Sequence, residues 1–153
     1  MTRPERKGEI MKREDFPAPT ESVIATVLLI VADIDRSRDF YRDVLGAKVV
    51  LERDPAILKF HNTWLIINVG GGPTPDKPEV VLTPPKDPNT ASSALNLRVA
   101  DIQSVYETWT ARGAQFLTPP VHYQREIRAY LRDPDGHLIE VGQSTGTLEW
   151  LEG

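Results

Sequence analysis

Val31-Ala32-Asp33-Ile34 and Val99-Ala100-Asp101-Ile102 decide the fold of this sequence, because the same four residue types recur in the same order at an offset of 68 residues. Each stretch ends an apolar run and is followed by a helical pattern, a Gly-Ala pair and, further on, a Val-Gly pair. These later pairs are Gly46-Ala47, Val69-Gly70, Gly113-Ala114 and Val141-Gly142. Landmarks that recur in one order at nearly constant offset indicate an internal duplication of a unit of about 70 residues.

Within each unit the pattern predicts a strand, a helix and then several strands. We expect Asp35 to cap the first helix and Asp101 to cap the second, with Gly46 and Gly113 as the terminators. The turn Asp133-Pro134-Asp135-Gly136 is expected to join the last two strands as a hairpin. The strands predicted after the helices are 48–53, 57–60 and 64–69 in the first unit, and 115–117, 127–131 and 138–142 in the second.

Composition limits the chain to one ordinary domain or two very small ones, since it has 153 residues, 40% of them hydrophobic and 26% charged. The same figures exclude wholesale disorder. The absence of cysteine excludes disulfides, thiolate metal sites and a cysteine nucleophile. A net charge of −4 argues against nucleic-acid binding, and the longest apolar run, 23–32, is too short to span a bilayer. We therefore expect a cytoplasmic protein with neither nucleic acid nor membrane as a partner.

Two motifs carry a resemblance to a known superfamily. Residues 31–46 have the pattern Val-x-Asp-Ile-x-x-Ser-x-x-Phe-Tyr-x-x-Val-Leu-Gly, and residues 133–140 read Asp-Pro-Asp-Gly-His-Leu-Ile-Glu. A duplicated unit with this opening and this close resembles the vicinal oxygen chelate superfamily, which includes glyoxalase I, fosfomycin- and bleomycin-resistance proteins and extradiol dioxygenases. The resemblance covers about residues 22–146. It implies an α+β fold in which two βαβββ modules form one curled mixed sheet around a cup, with the helices outside.

The repeat and the resemblance together predict one domain between two short segments. The first segment is charged and rich in proline, which is typical of a flexible arm. Members of the superfamily often pair modules between chains, so the resemblance also implies a homodimer. The predicted parts are the arm 1–20, the glyoxalase/bleomycin-resistance/dioxygenase-like domain 21–148, its modules at about 21–72 and 92–146, the linker 73–91 and the C-terminal tail 149–153.

In the superfamily a divalent metal lies in the cup, held by His, Gln or Glu side chains from the first and last strands of each module. Carried over to this chain, the four ligand positions are Thr26, Asn68, Ala94 and Glu140. Only Glu140 is a good ligand, and Ala94 has no donor atom in its side chain. A divalent metal is therefore left open but not favoured, with Glu140 as the one residual ligand.

Alternation along the strands indicates which side chains line the cup. In the second module, Asn96 and Arg98 alternate with apolar residues that face the helix, as do Arg128 and Tyr130 before the turn, and Glu126 shares their parity. The first module presents apolar residues at the matching positions, so the cup suits a small amphipathic ligand. The predicted site consists of Asn68, Asn96, Arg98, Arg128, Tyr130 and Glu140.

Two interpretations of Glu140 and Arg98 stay open. In the first, the two charges neutralise each other within the sheet, because a buried unpaired carboxylate is costly. In the second, Glu140 is a general base and the guanidinium holds a carboxylate or enolate oxygen of a substrate.

Three functions are compatible with these residues. The first is an enzyme of the lyase, isomerase or dioxygenase type, which acts on a small anionic or amphipathic molecule with Glu140 as base or residual metal ligand. The second is a non-catalytic protein that binds and sequesters a small molecule, as in the bleomycin-resistance branch. The third is a structural or regulatory relic of the fold. Whether the chain is an enzyme is left open, and the sequence does not identify the ligand.

Overall fold

The computed structural model describes residues 13–146 of the chain. The predicted tail 149–153 and residues 1–12 of the predicted arm lie outside the described residues. In chain order the elements are a 3-10 turn at Arg13–Asp15, then β1 (Val27–Val31), α1 (Ile34–Asp43), β2 (Lys48–Leu51), β3 (Ala56–Phe60), β4 (Thr63–Val69), β5 (Leu95–Arg98), α2 (Ile102–Ala111), β6 (Val121–His122), β7 (Glu126–Arg132) and β8 (Leu138–Ser144).

Both modules have the same topology, which confirms the predicted α+β fold and its duplication. The strand order is β1-β4-β3-β2 in the first sheet and β5-β8-β7-β6 in the second. In each sheet the first strand of the module runs parallel to the last strand, and the remaining pairs are antiparallel. Each module is therefore a strand, a helix and three further strands.

The two sheets are separate, whereas the sequence predicts one curled sheet. No hydrogen-bonded ladder joins β1 to β5 or otherwise links the sheets within the described part of the chain. The modules instead share a hydrophobic core that contains Tyr41, Leu65, Ile67, Leu131 and Val141, each almost fully buried. Side-chain packing between the modules thus replaces strand pairing between them.

The helices begin at the aspartates of the repeated Val-Ala-Asp-Ile sequence. Asp33 accepts a hydrogen bond from the Arg36 main-chain nitrogen, and Asp101 accepts one from Ser104, each at 3.1 Å. The prediction of Asp101 is confirmed, but that of Asp35 is wrong, because Asp35 lies in the first turn of α1. No helix within residues 13–146 has the length and apolar character needed to cross a membrane. The cytoplasmic location stays a prediction.

The Asp-Pro-Asp-Gly turn holds the second module against the first. The Tyr41 hydroxyl donates to Asp133 Oδ2 at 2.8 Å, and the Ser37 hydroxyl donates to Asp135 Oδ2 at 2.9 Å. The main-chain nitrogen of Ala32 donates to Asp135 Oδ1 at 2.8 Å. Burial raises the pKa of Asp133, against the opposing effect of the Tyr41 hydrogen bond. Both aspartates of the turn are therefore structural.

The described part of the predicted arm touches the first module. The Trp64 indole nitrogen donates to the main-chain oxygen of Asp15 at 2.8 Å, and the Lys59 ammonium lies 3.5 Å from the centroid of the Trp64 ring. The short 3-10 turn is thereby attached to the sheet. The flexibility of the arm as a whole stays a prediction.

Candidate functional site

The predicted site residues of the second module share one face of its sheet. This open face consists of the residues that alternate with the buried side chains of Leu131, Ile139 and Val141. Its ladder pairs place Tyr130 opposite Glu140 and Glu140 opposite Asn96. The residues of the open face are Asn96, Arg98, Val121, Glu126, Arg128, Tyr130, Arg132, Leu138, Glu140, Gly142 and Ser144.

Glu140 is held by two neutral donors from the neighbouring strands. Asn96 Nδ2 donates to Oε1 at 2.9 Å, and the Tyr130 hydroxyl donates to Oε2 at 2.6 Å. The hydrogen bond to Glu140 raises the pKa of Tyr130, and burial and the carboxylate charge add to the effect. Tyr130 is therefore a neutral donor at physiological pH, and both oxygens of Glu140 already have a partner.

Arg98 reaches across β8 at the position where that strand has no side chain. A Cβ atom on Gly142 would lie 1.9 Å from Arg98 Nη1, so any other residue at 142 would displace the guanidinium. Beyond the glycine, Arg98 Nη1 donates to Glu126 Oε2 at 3.1 Å, and Nη2 donates to the Ser144 hydroxyl at 3.0 Å. Gly142 thus provides the path by which a β5 side chain contacts β7.

The first of the two interpretations, in which Arg98 and Glu140 neutralise each other, is wrong, because the acidic partner of Arg98 is Glu126. The ladder places Asn96 directly beside Glu140 and Arg98 beside Gly142. A long side chain over a glycine extends to the next strand, where Glu126 lies. The parity of Glu126 was the available sequence signal for its place on this face, but parity does not reveal which charges pair.

Glu126 also binds the second guanidinium of the open face. Arg128 Nη1 donates to Glu126 Oε1 at 2.9 Å, and the guanidinium lies over the Tyr123 ring with 4.2 Å between its carbon and the ring centroid. Hydrogen bonds with Tyr123 and Glu126 raise the pKa of Arg128 against the opposing effect of burial. Within the described residues, Arg128 Nε is buried and has no acceptor. One carboxylate therefore bridges two arginines, and one N–H donor is unused.

Asn68, the sixth predicted site residue, belongs to the other sheet. Its Oδ1 accepts a hydrogen bond from the neighbouring Val69 main-chain nitrogen at 3.0 Å. The ladder pairs Asn68 with Ile30, whose counterpart in the repeat is Arg98. By strand register, Asn68 therefore corresponds to Gly142.

Ile66 occupies the place in the first sheet that Glu140 occupies in the second. Leu28 corresponds to Asn96 in the repeat, and Leu28 pairs with Ile66 just as Asn96 pairs with Glu140. An alignment of the two modules by their Val-Gly pairs differs from the alignment by strand register by two residues. Alignment of the Val-Gly pairs thus selects a different residue from the one that the ladder selects. Membership of Asn68 in the site stays a prediction.

The four ligand positions predicted from the resemblance do not fit a divalent metal. Ala94 lacks a donor atom, Thr26 offers a single hydroxyl, and the Asn68 and Glu140 oxygens bond to protein donors. Stable transition-metal sites have about three or four protein ligands. Within residues 13–146, no group of three or more His, Cys, Asp or Glu side chains is arranged to hold a metal ion.

A polar cavity of about 230 Å³ lies beside the open face, between the linker and the Asp-Pro-Asp-Gly turn. Thr90, Ser93, His137 and Leu138 are among the residues that line it. His137 Nε2 lies 2.7 Å from the main-chain oxygen of Ile30, so this ring nitrogen already has a partner. None of the predicted site residues lines this cavity.

Comparisons with known proteins support the same fold. The family model described as the Glyoxalase/Bleomycin resistance protein/Dioxygenase superfamily matches residues 23–141. A lactoylglutathione lyase of Arabidopsis thaliana is 29% identical over 142 residues, which are 88% of this chain and 49% of the relative. The metallothiol transferase FosB of Shouchella clausii is 31% identical over 122 residues, 77% of this chain and 76% of the relative. The chain spans about half the length of the first of these relatives.

Solved structures are similar as well. An integron cassette protein from the mobile metagenome of V. cholerae has a TM-score of 0.63 and 25% identity, covering 84% of this chain and 99% of that one. A glyoxalase/bleomycin resistance protein/dioxygenase from Nocardioides has a TM-score of 0.64, with 20% identity over 86% of this chain and 92% of that one. The second likeness concerns the fold alone.

Proposed function

Because this chain belongs to the glyoxalase/bleomycin resistance protein/dioxygenase superfamily, we propose that it binds a small anionic or amphipathic molecule on the open face of its second module. The anionic group of the ligand binds to Arg98 and Arg128. The observation that carries the proposal is the convergence of these two guanidinium groups, from two different strands, on one carboxylate. Guanidinium groups bind carboxylates through short charge-assisted hydrogen bonds.

The net charge of the open face and the exposed apolar side chains at its edge both favour an anionic or amphipathic ligand. Among the described residues of β5 to β8, this face has three arginines, Arg98, Arg128 and Arg132, and two glutamates. The resulting excess of one positive charge attracts anions. Val121 lies beside Arg128 in the ladder, and both Val121 and the nearby Tyr123 are exposed. These two side chains offer an apolar surface to the body of an amphipathic ligand.

Calorimetric titration with benzoate tests the proposal. Arg98→Ala removes charge-assisted hydrogen bonds of about 1.5–3 kcal/mol, which corresponds to a loss of affinity of roughly 10- to 150-fold. Arg42→Ala is the matched control, because Arg42 lies on α1 and pairs with Asp43 and Asp39. Equal benzoate affinity in the wild type and in Arg98→Ala would contradict the proposal.

Binding is proposed to be independent of a metal at Glu140. Elemental analysis of the purified protein should then give much less than one metal ion per chain. A stoichiometric metal that is lost in Glu140→Gln would contradict this part of the proposal, because that loss identifies Glu140 as a ligand.

A second candidate function is proton transfer by Glu140. The observation that favours it is the 2.6 Å hydrogen bond to Tyr130, which fixes the orientation of a carboxylate on the same face of the sheet as the two arginines. The names of both curated relatives denote enzymes, a lyase and a transferase. On this hypothesis the arginines bind the carboxylate of a small keto acid, and Glu140 takes a proton from the adjacent carbon.

Deuterium exchange distinguishes catalysis from binding alone. Pyruvate in heavy water is expected to gain deuterium at its methyl group if Glu140 is a base, and Glu140→Gln is expected to stop the exchange. If pyruvate binds and no deuterium enters, the protein binds without catalysing proton transfer.

A homodimer is proposed as the assembly. Leu28, Val69, Val80 and Val81 are each at least half exposed, although all four are large apolar side chains. Large contiguous apolar patches are typical of surfaces that contact another protein. Light scattering should give twice the chain mass of 17.1 kDa. Leu28→Asp is expected to shift the protein toward the monomer, and a monomeric wild type would contradict the proposal.

A further inference from the structure

Glu126 occupies the place on the open face that a ligand carboxylate requires. Its Oε2 lies 3.1 Å from Arg98 Nη1, and its Oε1 lies 2.9 Å from Arg128 Nη1. A carboxylate ligand between the two guanidinium groups would present the same two oxygens to the same two donors. The protein therefore already contains an acceptor of the kind that the proposed ligand supplies.

We propose that Glu126 is a built-in competitor of the ligand. An amphipathic carboxylate binds by displacing the Glu126 side chain from Arg98 and Arg128, while its apolar body contacts Val121 and Tyr123. This inference rests on the anion binding that is the proposed function. It adds the chemical class of the ligand and identifies Glu126 as the group that limits ligand binding. Ligands whose carboxylate and apolar body both make contacts overcome the internal competitor more readily than small carboxylates.

The displacement needs only a side-chain movement. The Glu126 main chain is fixed, because it pairs with Ser144 in the ladder and accepts a hydrogen bond from the Tyr123 main-chain nitrogen at 2.8 Å. The Glu126 side chain is 26% exposed, so rotation about its own bonds brings the carboxylate into water. Arg98 keeps its hydrogen bond to Ser144 throughout. Both guanidinium groups thus remain in place for the incoming carboxylate.

Glu140 does not share this role. Its oxygens accept from the neutral donors Asn96 and Tyr130, and no arginine among residues 13–146 forms an ion pair with it. An anionic ligand at the arginines therefore replaces Glu126 and leaves Glu140 in position.

Glu126→Gln tests the inference by calorimetric titration with benzoate. Partly exposed ion pairs contribute little each, and two of them correspond to about a 2- to 30-fold competition against the ligand. Loss of the Glu126 charge should tighten benzoate binding by that factor. Glu52→Gln is the matched control, because Glu52 pairs with Arg38 in the first module. The control should leave the affinity unchanged.

The outcomes separate this inference from the proposed function. Tighter binding by Glu126→Gln, with the control unchanged, supports the competitor. Unchanged or weaker binding by Glu126→Gln, with wild-type binding that still depends on Arg98, overturns the competitor and leaves the proposed function standing. If neither protein binds benzoate, both fail.

A second readout uses the wild-type protein, so it does not depend on how the variant folds. In protein with ¹³C-labelled glutamate, benzoate should shift the side-chain carboxyl resonance of Glu126 and leave that of Glu140 nearly unchanged. A Glu126 resonance that stays fixed while benzoate saturates the site overturns the inference.

Discussion

Tyr41→Phe removes one hydroxyl group from the contact between the two modules. Tyr41 is fully buried, and its hydroxyl donates to Asp133 at 2.8 Å. Phenylalanine keeps the ring and its edge-to-face contact with Phe40. The change therefore removes a hydrogen bond and leaves the packing almost unaltered. A hydrogen bond to a charged group contributes about 1.5–3 kcal/mol to stability, so we expect a loss of about 2 kcal/mol at neutral pH.

The loss should depend on pH because Asp133 titrates. Burial raises the pKa of Asp133 in the folded state, so protonation stabilises the fold. This contribution is complete below the ordinary carboxyl pKa and is lost as pH rises through the raised folded pKa. Above the folded pKa, Asp133 is charged, buried and most dependent on the Tyr41 hydroxyl. The cost of Tyr41→Phe should therefore be largest at neutral pH and should fall to about 1 kcal/mol below the ordinary carboxyl pKa, where Asp133 is protonated.

Urea unfolding followed by tryptophan fluorescence measures both effects. In thermal unfolding, a loss of about 2 kcal/mol corresponds to a fall in Tm of roughly 4–8 °C for a chain of this size. Tyr106→Phe is the control, since the Tyr106 ring packs on Phe116 and is only half-buried. A loss below about 0.5 kcal/mol, or one that grows toward acidic pH, would refute the reasoning.

Three further predictions concern other parts of the fold. Gly142→Ala should displace the Arg98 guanidinium and lower benzoate affinity roughly tenfold by calorimetry, with native circular dichroism. Asp33→Ala and Asp101→Ala should each cost about 1 kcal/mol in urea unfolding, because each removes a helix cap. Arg38→Met should cost about 2 kcal/mol by the same assay, because the buried guanidinium binds three carboxylates and the main-chain oxygen of Glu52.

Much of the fold could be predicted because each copy of the repeat contains the residues that begin and end its helix. The repeated Val-Ala-Asp-Ile places a capping aspartate after each first strand, and the positive φ of Gly46 and Gly113 explains why glycine follows each helix. The prediction of Asp35 as the helix cap fails because aspartates lie on both sides of Ile34. The pattern alone does not show at which of the two the helix begins. The separation of the sheets could not be predicted, since it depends on packing between distant residues.

The arrangement of the candidate site residues could be predicted in part for a related reason. Alternation along β5, β7 and β8 correctly placed Asn96, Arg98, Arg128, Tyr130 and Glu140 on one face. The partner of Arg98 could not be read in the same way, because it depends on the register between strands and on the glycine beneath the guanidinium. Register likewise matches Asn68 to Gly142, which no comparison of the Val-Gly pairs reveals.

Mapping of benzoate binding by NMR tests most directly whether the open face of the second module is an anion site. The measurement follows main-chain amides and arginine Nε–H resonances of the wild-type protein during the titration. We expect the largest shifts at Arg98 and Arg128, with saturation at one benzoate per chain. Shifts that concentrate at Ser93 and His137 in the neighbouring polar cavity, or none at the two arginines, would contradict the account.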